Sequence, residues 1–225
     1  MIATPTWNWP KQIGKRFSKA IAVPATSASV LVVRADTKID SLKELIDAAK
    51  SKPFALNYGS PGVGSPSHMA VVQLAALSGI EVTHIAYRGN AAAVTDLLNG
   101  TLDFMFGSPA ETLEFVRSGT FRALATTGEN RSRATPDVPT IAETVNGYDF
   151  RTWHVMSMRA DTPPEIIEQV RKAATEVIAS DAFHKKLNEL GLDAGHTNSA
   201  EAENFVHAEI VRWGAFVKAS GIKAE

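Results

Sequence analysis

The sequence contains no cysteine, no long apolar run and no concentration of charge, and each absence excludes a class of protein. With 0 cysteines in 225 residues, disulfide scaffolds and thiolate metal sites are excluded. No run approaches the ~20 apolar residues of a membrane-spanning helix, and residues 1–10 lack the features of a secretion signal. The formal net charge is −1 and no basic face is visible, so nucleic acid and anionic membranes are not expected partners.

The remaining composition is that of an ordinary globular chain. Because 44% of the residues are hydrophobic and 21% are charged, the chain can bury a core as one large domain or two small ones. Its most informative stretch is the turn at residues 58–68, YGSPGVGSPSH, between a predicted strand at 54–58 and a helix-period segment that begins at Met69. Ser65 is a suitable N-cap, and Pro66 suits the first helical position. Glycines and free N–H groups at a helix start favour a carboxylate or a phosphate, so the turn predicts an anion site.

The known glycine-rich motifs fit this turn incompletely. Residues 59–64 have the glycine spacing of a P-loop, but Ser-Pro follows where Lys and Ser/Thr would hold a triphosphate. Residues 62–67 approach the dinucleotide fingerprint, with Glu81 near the distance of a ribose-binding acid, but the third glycine is absent. Residues 59–62 are not the G-x-S-x-G of a nucleophile elbow. A coenzyme-binding turn and a purely structural glycine-rich turn both remain as alternatives.

Two further strand-to-helix turns follow the first. A short strand is predicted at 82–86, and a helix at 91–98 follows it, with Asn90 as its expected N-cap. The next strand, at 102–106, is followed by Gly-Ser-Pro at 107–109, which opens another helix. Strands that alternate with helices in this way predict βαβ units and a mostly parallel sheet, whose ligands lie beyond the carboxyl ends of the strands.

The alternation of strands and helices stops near residue 150. A strand predicted at 148–158 is followed by helices at 164–179, 181–190 and 199–220. This change predicts two lobes. The domains expected are a complete α/β lobe at 35–150, and the remainder of the other lobe, with the hinge strands, at 1–34 plus 151–225.

Motifs distributed over nearly the whole chain carry a family resemblance. They are the turn at 58–68, HIAYRG at 84–89, DLLNG at 96–100, DFMF at 103–106, LATT at 124–127, PDVPT at 136–140, and Trp213 before Gly221-Ile222. In this order they resemble the substrate-binding proteins of tripartite tricarboxylate transporters, the TctC or Bug family.

The resemblance implies an α/β, periplasmic-binding-protein-like fold of type II, with two α/β lobes around a cleft. It further implies an extracytoplasmic, periplasmic protein that captures a small organic carboxylate for a membrane permease, uses no cofactor and catalyses no reaction. The ligand would be held by backbone N–H groups, hydroxyls and ordered water. By matching position, the ligand-binding residues are Ser60, Gly62, Gly64, Ser65, His68, Tyr87, Gly89, Asn90, Ala91, Gly107 and Ser108.

The beginning of the chain departs from the family pattern. Family members begin with a secretion signal and two further βα units, including a Gly-Gly-x-x-Asp-type turn, whereas this sequence enters after them. We therefore expect an incomplete first lobe, with uncovered apolar surface that a homodimer or a domain exchange would complete. A fragment that binds nothing, or that associates with another subunit, is a further interpretation.

The other polar residues that attract notice have plainer interpretations. Hydrogen bonding within the turn is expected for His68 rather than metal binding, since no cluster of ligands accompanies it. A core histidine is expected at His154, and a solvated side chain at Arg88 rather than a clamp for a dicarboxylate. The nearby serines, His68 and Asp96 do not have the spacing of a catalytic triad.

Two classes of function therefore remain. A non-enzymatic carboxylate-binding protein is favoured, and the alternative is a nucleotide- or coenzyme-binding α/β enzyme that uses the Gly59–Gly64 turn for phosphate. The carboxylate itself is left open among dicarboxylates, tricarboxylates, aromatic acids, amino acids and nicotinate-like acids.

Overall fold

The structure is a computed structural model that describes residues 19–132, 135–196 and 199–221. The strands are β1 (Lys19–Ser27), β2 (Val30–Arg34), β3 (Asn57–Ser60), β4 (Thr83–Ala86), β5 (Phe104–Gly107), β6 (Phe121–Thr126), β7 (Thr152–Met158) and β8 (Asp193–His196). The helices are α1 (Leu42–Ser51), α2 (Pro66–Ser78), α3 (Asn90–Asn99), α4 (Pro109–Arg117), α5 (Pro164–Ile178), α6 (Asp181–Leu190) and α7 (Ser199–Ser220). No helix in these ranges is long and apolar enough to cross a membrane.

The chain divides into two compact units. The continuous unit is Ser27–Thr152, and the discontinuous unit combines Met1–Thr26 with Trp153–Glu225. The predicted lobe at 35–150 leaves out β2, which belongs to the sheet of the continuous unit, so its start at residue 35 is corrected to Ser27. The predictions made for residues 1–18 lie outside the described residues.

A five-stranded sheet in the order β4-β3-β5-β2-β6 forms the continuous unit. As expected from the βαβ pattern, β3 is parallel to both β4 and β5. The sheet is mixed, however, because β2 runs antiparallel to its neighbours β5 and β6. Residues 30–33 are at most 1% exposed, which explains why this strand reads as a continuous apolar run rather than an alternating one.

Helix α3 packs closely on this sheet. Ala93 and Leu97 of α3 lie in one cluster of buried side chains with Val30, Val32, Leu102, Met105 and Phe121. A Cβ atom at Gly59 would lie 2.4 Å from Leu102 Cδ1 and 3.0 Å from Ala93 Cβ. Glycine at this position of β3 therefore permits the close approach of the helix.

Two local predictions in the continuous unit are wrong. The strand predicted at 54–58 begins only at Asn57, because Phe54 has a left-handed backbone with φ 61° and its N–H donates to the Glu81 carbonyl at 2.9 Å. The N-cap of α3 is Gly89 rather than Asn90, which is the first residue of the helix. The Asn90 amide donates instead to a carboxylate of α4.

The discontinuous unit contains a three-stranded sheet in the order β7-β1-β8, with β1 antiparallel to β8. Apolar residues of β1 belong to two clusters of buried side chains: Ile21 lies in one with Ile167 and Ile178 of α5, and Val23 lies in the other with Ala202 of α7. The predicted bounds of α6 and α7 are confirmed. Strand β8 was not predicted, because its sequence DAGH lacks an apolar alternation.

Candidate functional site

The carboxyl ends of three parallel strands define the candidate site. In the strand register Ser60 is opposite Ala86, and Gly59 is opposite Met105, so β3, β4 and β5 end at the same edge of the sheet. The starts of α2, α3 and α4 follow these strand ends directly. The residues predicted to bind ligand therefore lie at one edge of the continuous unit, as the βαβ pattern requires.

The glycine turn before α2 is largely hydrogen-bonded within itself. The Gly62 N–H donates to Ser60 Oγ at 3.2 Å, the Gly64 N–H to His68 Nδ1 at 3.2 Å, and the Ser65 N–H to the Gly62 carbonyl at 3.2 Å. The His68 N–H donates to Ser65 Oγ, the predicted N-cap, at 3.4 Å. The N–H groups expected to bind an anion are therefore mostly occupied by the protein itself.

Two histidines and a tyrosine pack beneath this turn. The rings of His68 and His84 have centroids 4.4 Å apart, and the ring of Tyr58 stacks on His84 at 4.9 Å. Ser60, which is 0% exposed, has its Oγ 2.7 Å from His84 Nε2. Burial, with a smaller contribution from His84, lowers the pKa of His68 to about 4, and burial raises the pKa of Tyr58 well above its usual value.

The start of α3 carries the most open set of donors. Its N-cap, Gly89, has no side chain to cap the helix, and its backbone φ of 136° is one that L residues rarely adopt. The first N–H groups of any helix lack intrahelical partners, and here they belong to Asn90 and Ala91. No acidic residue lies in the first turn. Asn90 Oδ1 is buried without a hydrogen-bond partner among the described residues.

The start of α4, in contrast, is already occupied by a carboxylate of the chain. Glu111 accepts hydrogen bonds from the Ser108 N–H at 2.9 Å and from the Ser108 hydroxyl at 2.8 Å. The Asn90 amide donates to the same carboxylate at 2.7 and 2.9 Å, which links the starts of α3 and α4. Gly107 is buried before this helix. The N–H and the hydroxyl of Ser108, which was expected to bind ligand, both donate to Glu111 within the protein.

Tyr87, which was expected to bind ligand, has its hydroxyl bound to Asp96 of α3. Its hydroxyl donates to Asp96 Oδ2 at 2.7 Å, and its N–H donates to the Ser60 carbonyl at 2.9 Å. Burial and this hydrogen bond raise the pKa of Tyr87 to about 12. Because Asp96 binds Tyr87 while Ser60 binds His84, these groups do not form the triad considered above.

The remaining expectations have mixed outcomes. Arg88 is exposed, as expected, and His68 is hydrogen-bonded within the turn, as expected. His154 lies exposed on β7, so the prediction of a core histidine is wrong. Sequence reasoning also missed Glu111 and the contact of His84 with Ser60. The spacing Ser108-x-x-Glu111 is that of a capping box, so the sequence contained a signal for the role of Glu111.

Comparison with known proteins agrees with the resemblance seen in the motifs. The profile of the family described as "Tripartite tricarboxylate transporter family receptor" (TctC) matches residues 14–222. A Pseudomonas protein, "UPF0065 protein in tcbD-tcbE intergenic region", is 33% identical over 196 residues, which are 86% of this chain and 58% of the relative. Protein BugT of Bordetella pertussis is 31% identical over 197 residues, 86% of this chain and 60% of its own. The chain thus spans less than two thirds of the length of these curated relatives.

Solved structures show the same fold. The structure described as R. palustris Rpa4515 with adipate has a TM-score of 0.83 and 28% identity, and the match covers 92% of this chain and 70% of that one. The periplasmic binding protein BugD has a TM-score of 0.80 at 24% identity, covering 92% of this chain and 71% of its own. The predicted α/β fold of the periplasmic-binding-protein type is therefore confirmed.

Proposed function

Because this chain belongs to the tripartite tricarboxylate transporter receptor family, we propose that it is a periplasmic solute-binding protein that captures a small organic carboxylate for a membrane permease. The family description favours this function over the coenzyme-dependent enzyme that the glycine turn alone left open. The bound adipate described for the Rpa4515 protein, at 28% identity, supports a linear dicarboxylate as the first ligand to test.

The uncapped start of α3 is the observation that carries the proposal. A helix start has a partial positive charge and free N–H groups, so it favours an anion. Of the three helix starts at this edge, the one at α2 is capped by Ser65 and the one at α4 by the Glu111 carboxylate. A ligand carboxylate is therefore expected at the N–H groups of Asn90 and Ala91.

Main-chain groups, rather than a cationic side chain, would provide most of this recognition. Arg88 is the only lysine or arginine between residues 57 and 91, and its side chain is exposed. The hydroxyl of Ser65 and the glycines of the turn would line the rest of the ligand. Such a site selects a carboxylate group while leaving the remainder of the molecule to shape and a few polar contacts.

A charge placed at the start of α3 tests this proposal. Ala91→Glu adds a carboxylate at an exposed position of the first turn, where it is compatible with the helix but competes with a ligand carboxylate. Ala110→Glu makes the same change at the equivalent exposed position of α4 and is the matched control. Binding would be measured by calorimetry and by the shift in Tm, with adipate, other small carboxylates, and nucleotides as negative controls.

We expect Ala91→Glu to weaken binding by at least about tenfold, which corresponds to about 1.4 kcal/mol, and Ala110→Glu to bind like the wild type. The Tm of both variants without ligand should not fall. Equal affinity in Ala91→Glu and the wild type would contradict the site. A response to nucleotides but to no acid would favour the coenzyme-binding alternative.

A second copy of the chain is a further proposed partner. Among the described strands, β7 has a neighbour on one side only, and Val155 and Met156 on it are 40% and 41% exposed. An uncharged, exposed edge strand of this kind is a place where another strand adds. Light scattering at several protein concentrations tests the homodimer, and a monomer at all of them would exclude it.

A further inference from the structure

We propose that His68 is a positioning residue, which holds the glycine turn in its binding conformation only while its imidazole is neutral, so that acidification releases the turn. His68 then acts on the ligand through Gly64 rather than by direct contact. The effect on ligand affinity rests on the proposed function, whereas the effect on the turn does not.

The hydrogen bond at Nδ1 fixes which nitrogen of His68 is protonated. The Gly64 N–H donates to Nδ1 at 3.2 Å, so Nδ1 carries no proton and the neutral ring has its proton on Nε2. The backbone N–H of His68 is held by Ser65 Oγ at 3.4 Å. The first turn of α2 and the glycine loop before it are therefore tied together by both the main chain and the side chain of one residue.

A second histidine supports the other glycine of the turn. His84 Nε2 lies 2.7 Å from Ser60 Oγ, and the same oxygen accepts from the Gly62 N–H at 3.2 Å. Ser60 Oγ also lies 3.0 Å from the Gly62 carbonyl. Gly62 and Gly64 are thus each fixed through one imidazole, and the two imidazoles contact each other.

The surroundings of His68 disfavour a positive charge. The side chain is 7% exposed, and its titratable ring neighbours are Tyr58 of β3 and His84 of β4. Neither neighbour supplies a negative charge at neutral pH. Burial and the nearby His84 lower the pKa of His68 to about 4, in agreement with a neutral ring under ordinary conditions.

Protonation would replace an attractive contact with a repulsive one. With a proton on Nδ1, two donors would face each other across the 3.2 Å that separates Gly64 N from the ring. The ring then has to turn away or the loop has to move, and Gly62 and Gly64, with φ of 129° and 78°, occupy conformations that only a few residue types reach easily. The loop is therefore expected to leave its present conformation as His68 gains a proton.

Nuclear magnetic resonance of the full chain tests this directly. The imidazole nitrogens of His68 and the amide of Gly64 would be followed from about pH 7.5 to about pH 3, on either side of the His68 pKa of about 4. We expect the Nε2–H tautomer at neutral pH, and a Gly64 amide signal that shifts with the same midpoint as the His68 ring. A neutral His68 with its proton on Nδ1, or a Gly64 signal that does not follow the ring, would overturn the inference.

Two substitutions separate positioning from a simple loss of packing. In His68→Asn the amide oxygen can replace Nδ1 as acceptor but does not titrate, so the Gly64 signal should stay near its wild-type position at both pH values. In His68→Gln the amide is displaced by one bond, so the contact should be lost at both. The measurements on the wild-type protein decide the question even if neither variant folds.

Adipate is the probe for the link to binding. Near pH 4, where about half of the wild-type protein carries a proton on His68, the ratio of the affinities of His68→Asn and the wild type should rise about twofold above its value at pH 7.5, because ligand protonation cancels in this ratio. If the ratio stays constant, protonation of His68 changes the turn but not ligand affinity, and the proposed role of His68 in binding is overturned. If no acid binds while Gly64 still follows His68, the proposed function fails and the positioning role remains.

Discussion

At the scale of single residues, substitution of glycine by alanine should have opposite effects on stability at Gly59 and at Gly214. A Cβ at Gly59 would lie 2.4 Å from Leu102 Cδ1 and 3.2 Å from Tyr87 Cε2, whereas one at Gly214 in α7 meets nothing within 4 Å. We expect Gly59→Ala to lower the free energy of unfolding by about 1–3 kcal/mol through overpacking. Gly214→Ala should raise it by about 0.5–1 kcal/mol, since alanine favours a helix over glycine. Chemical denaturation measures both, and equal effects would contradict the packing of α3 on β3.

Phe54 predicts a stabilising substitution. It is the one non-glycine residue with positive φ in the described ranges, and its side chain is 60% exposed, so its ring adds little burial in return for the strain. Phe54→Asn should raise the free energy of unfolding by about 1 kcal/mol, because asparagine tolerates the left-handed region. Phe54→Ala keeps the Cβ and is the control, with a change expected within about 0.5 kcal/mol. The same gain in both variants would show that backbone strain is not the cause.

His68 also predicts how stability depends on pH. Its pKa falls from 6.5 to about 4 on folding, so below pH 6.5 the unfolded state takes up a proton that the folded state does not. The free energy of unfolding should therefore fall between pH 6.5 and pH 4, by an amount on the order of 2 kcal/mol, and show no contribution above that range. His68→Asn should remove this dependence, and the exposed His154→Asn is the control. A wild-type slope retained in His68→Asn would assign the effect to other groups.

Residues whose partners are close in sequence were predictable, and those with distant partners were not. The cap at Ser65 follows from the residue types next to Pro66, and the structure confirms it. The contact between Ser60 and His84 joins residues 24 apart, and its existence depends on the register of two parallel strands. No local pattern contains that register. Ser60 and His68 were therefore named from the sequence without the contact of each with His84.

At the scale of elements, Glu111 joins the starts of two helices. Removing it leaves the Ser108 N–H and the Asn90 amide without their acceptor. We expect Glu111→Ala to lower the free energy of unfolding by about 1–3 kcal/mol, the usual cost of unsatisfied partners. Glu114→Ala, three residues on, removes only a 3.5 Å pair with Arg117 whose glutamate is 84% exposed, and should change stability by less than about 0.5 kcal/mol. Indistinguishable effects would show that the link between α3 and α4 adds nothing.

The elements found from the sequence are those with a strong period or a strong end signal. Helix α6 was predicted to its last residue because Gly191 follows it. Strand β8 was missed, since four residues with one alanine and one glycine carry no alternation. The place of β2 was also missed, because a short apolar run does not reveal which sheet will bury it.

At the scale of the whole molecule, one unit is built from a single segment of the chain and the other from two segments. All of the candidate site lies within Ser27–Thr152, which is one uninterrupted segment with its own five-stranded sheet and its own buried cluster. The other unit takes β1 from before this segment and β7 and β8 from after it, with β1 between the other two strands. The proposed carboxylate site therefore uses no residue of the discontinuous unit.

This difference predicts which fragments fold. A fragment comprising Ser27–Thr152 should fold by itself, because every strand of its sheet and the helices packed on it are included. The segment Trp153–Glu225 should not, since it lacks β1 and leaves β7 and β8 without the strand between them. Circular dichroism and the dispersion of amide signals measure folding, and the Gly64 amide should resonate in the first fragment as it does in the full chain. A disordered first fragment would mean that the sheet depends on contacts outside its own unit, whereas a folded second fragment would mean that β7 and β8 have an alternative pairing.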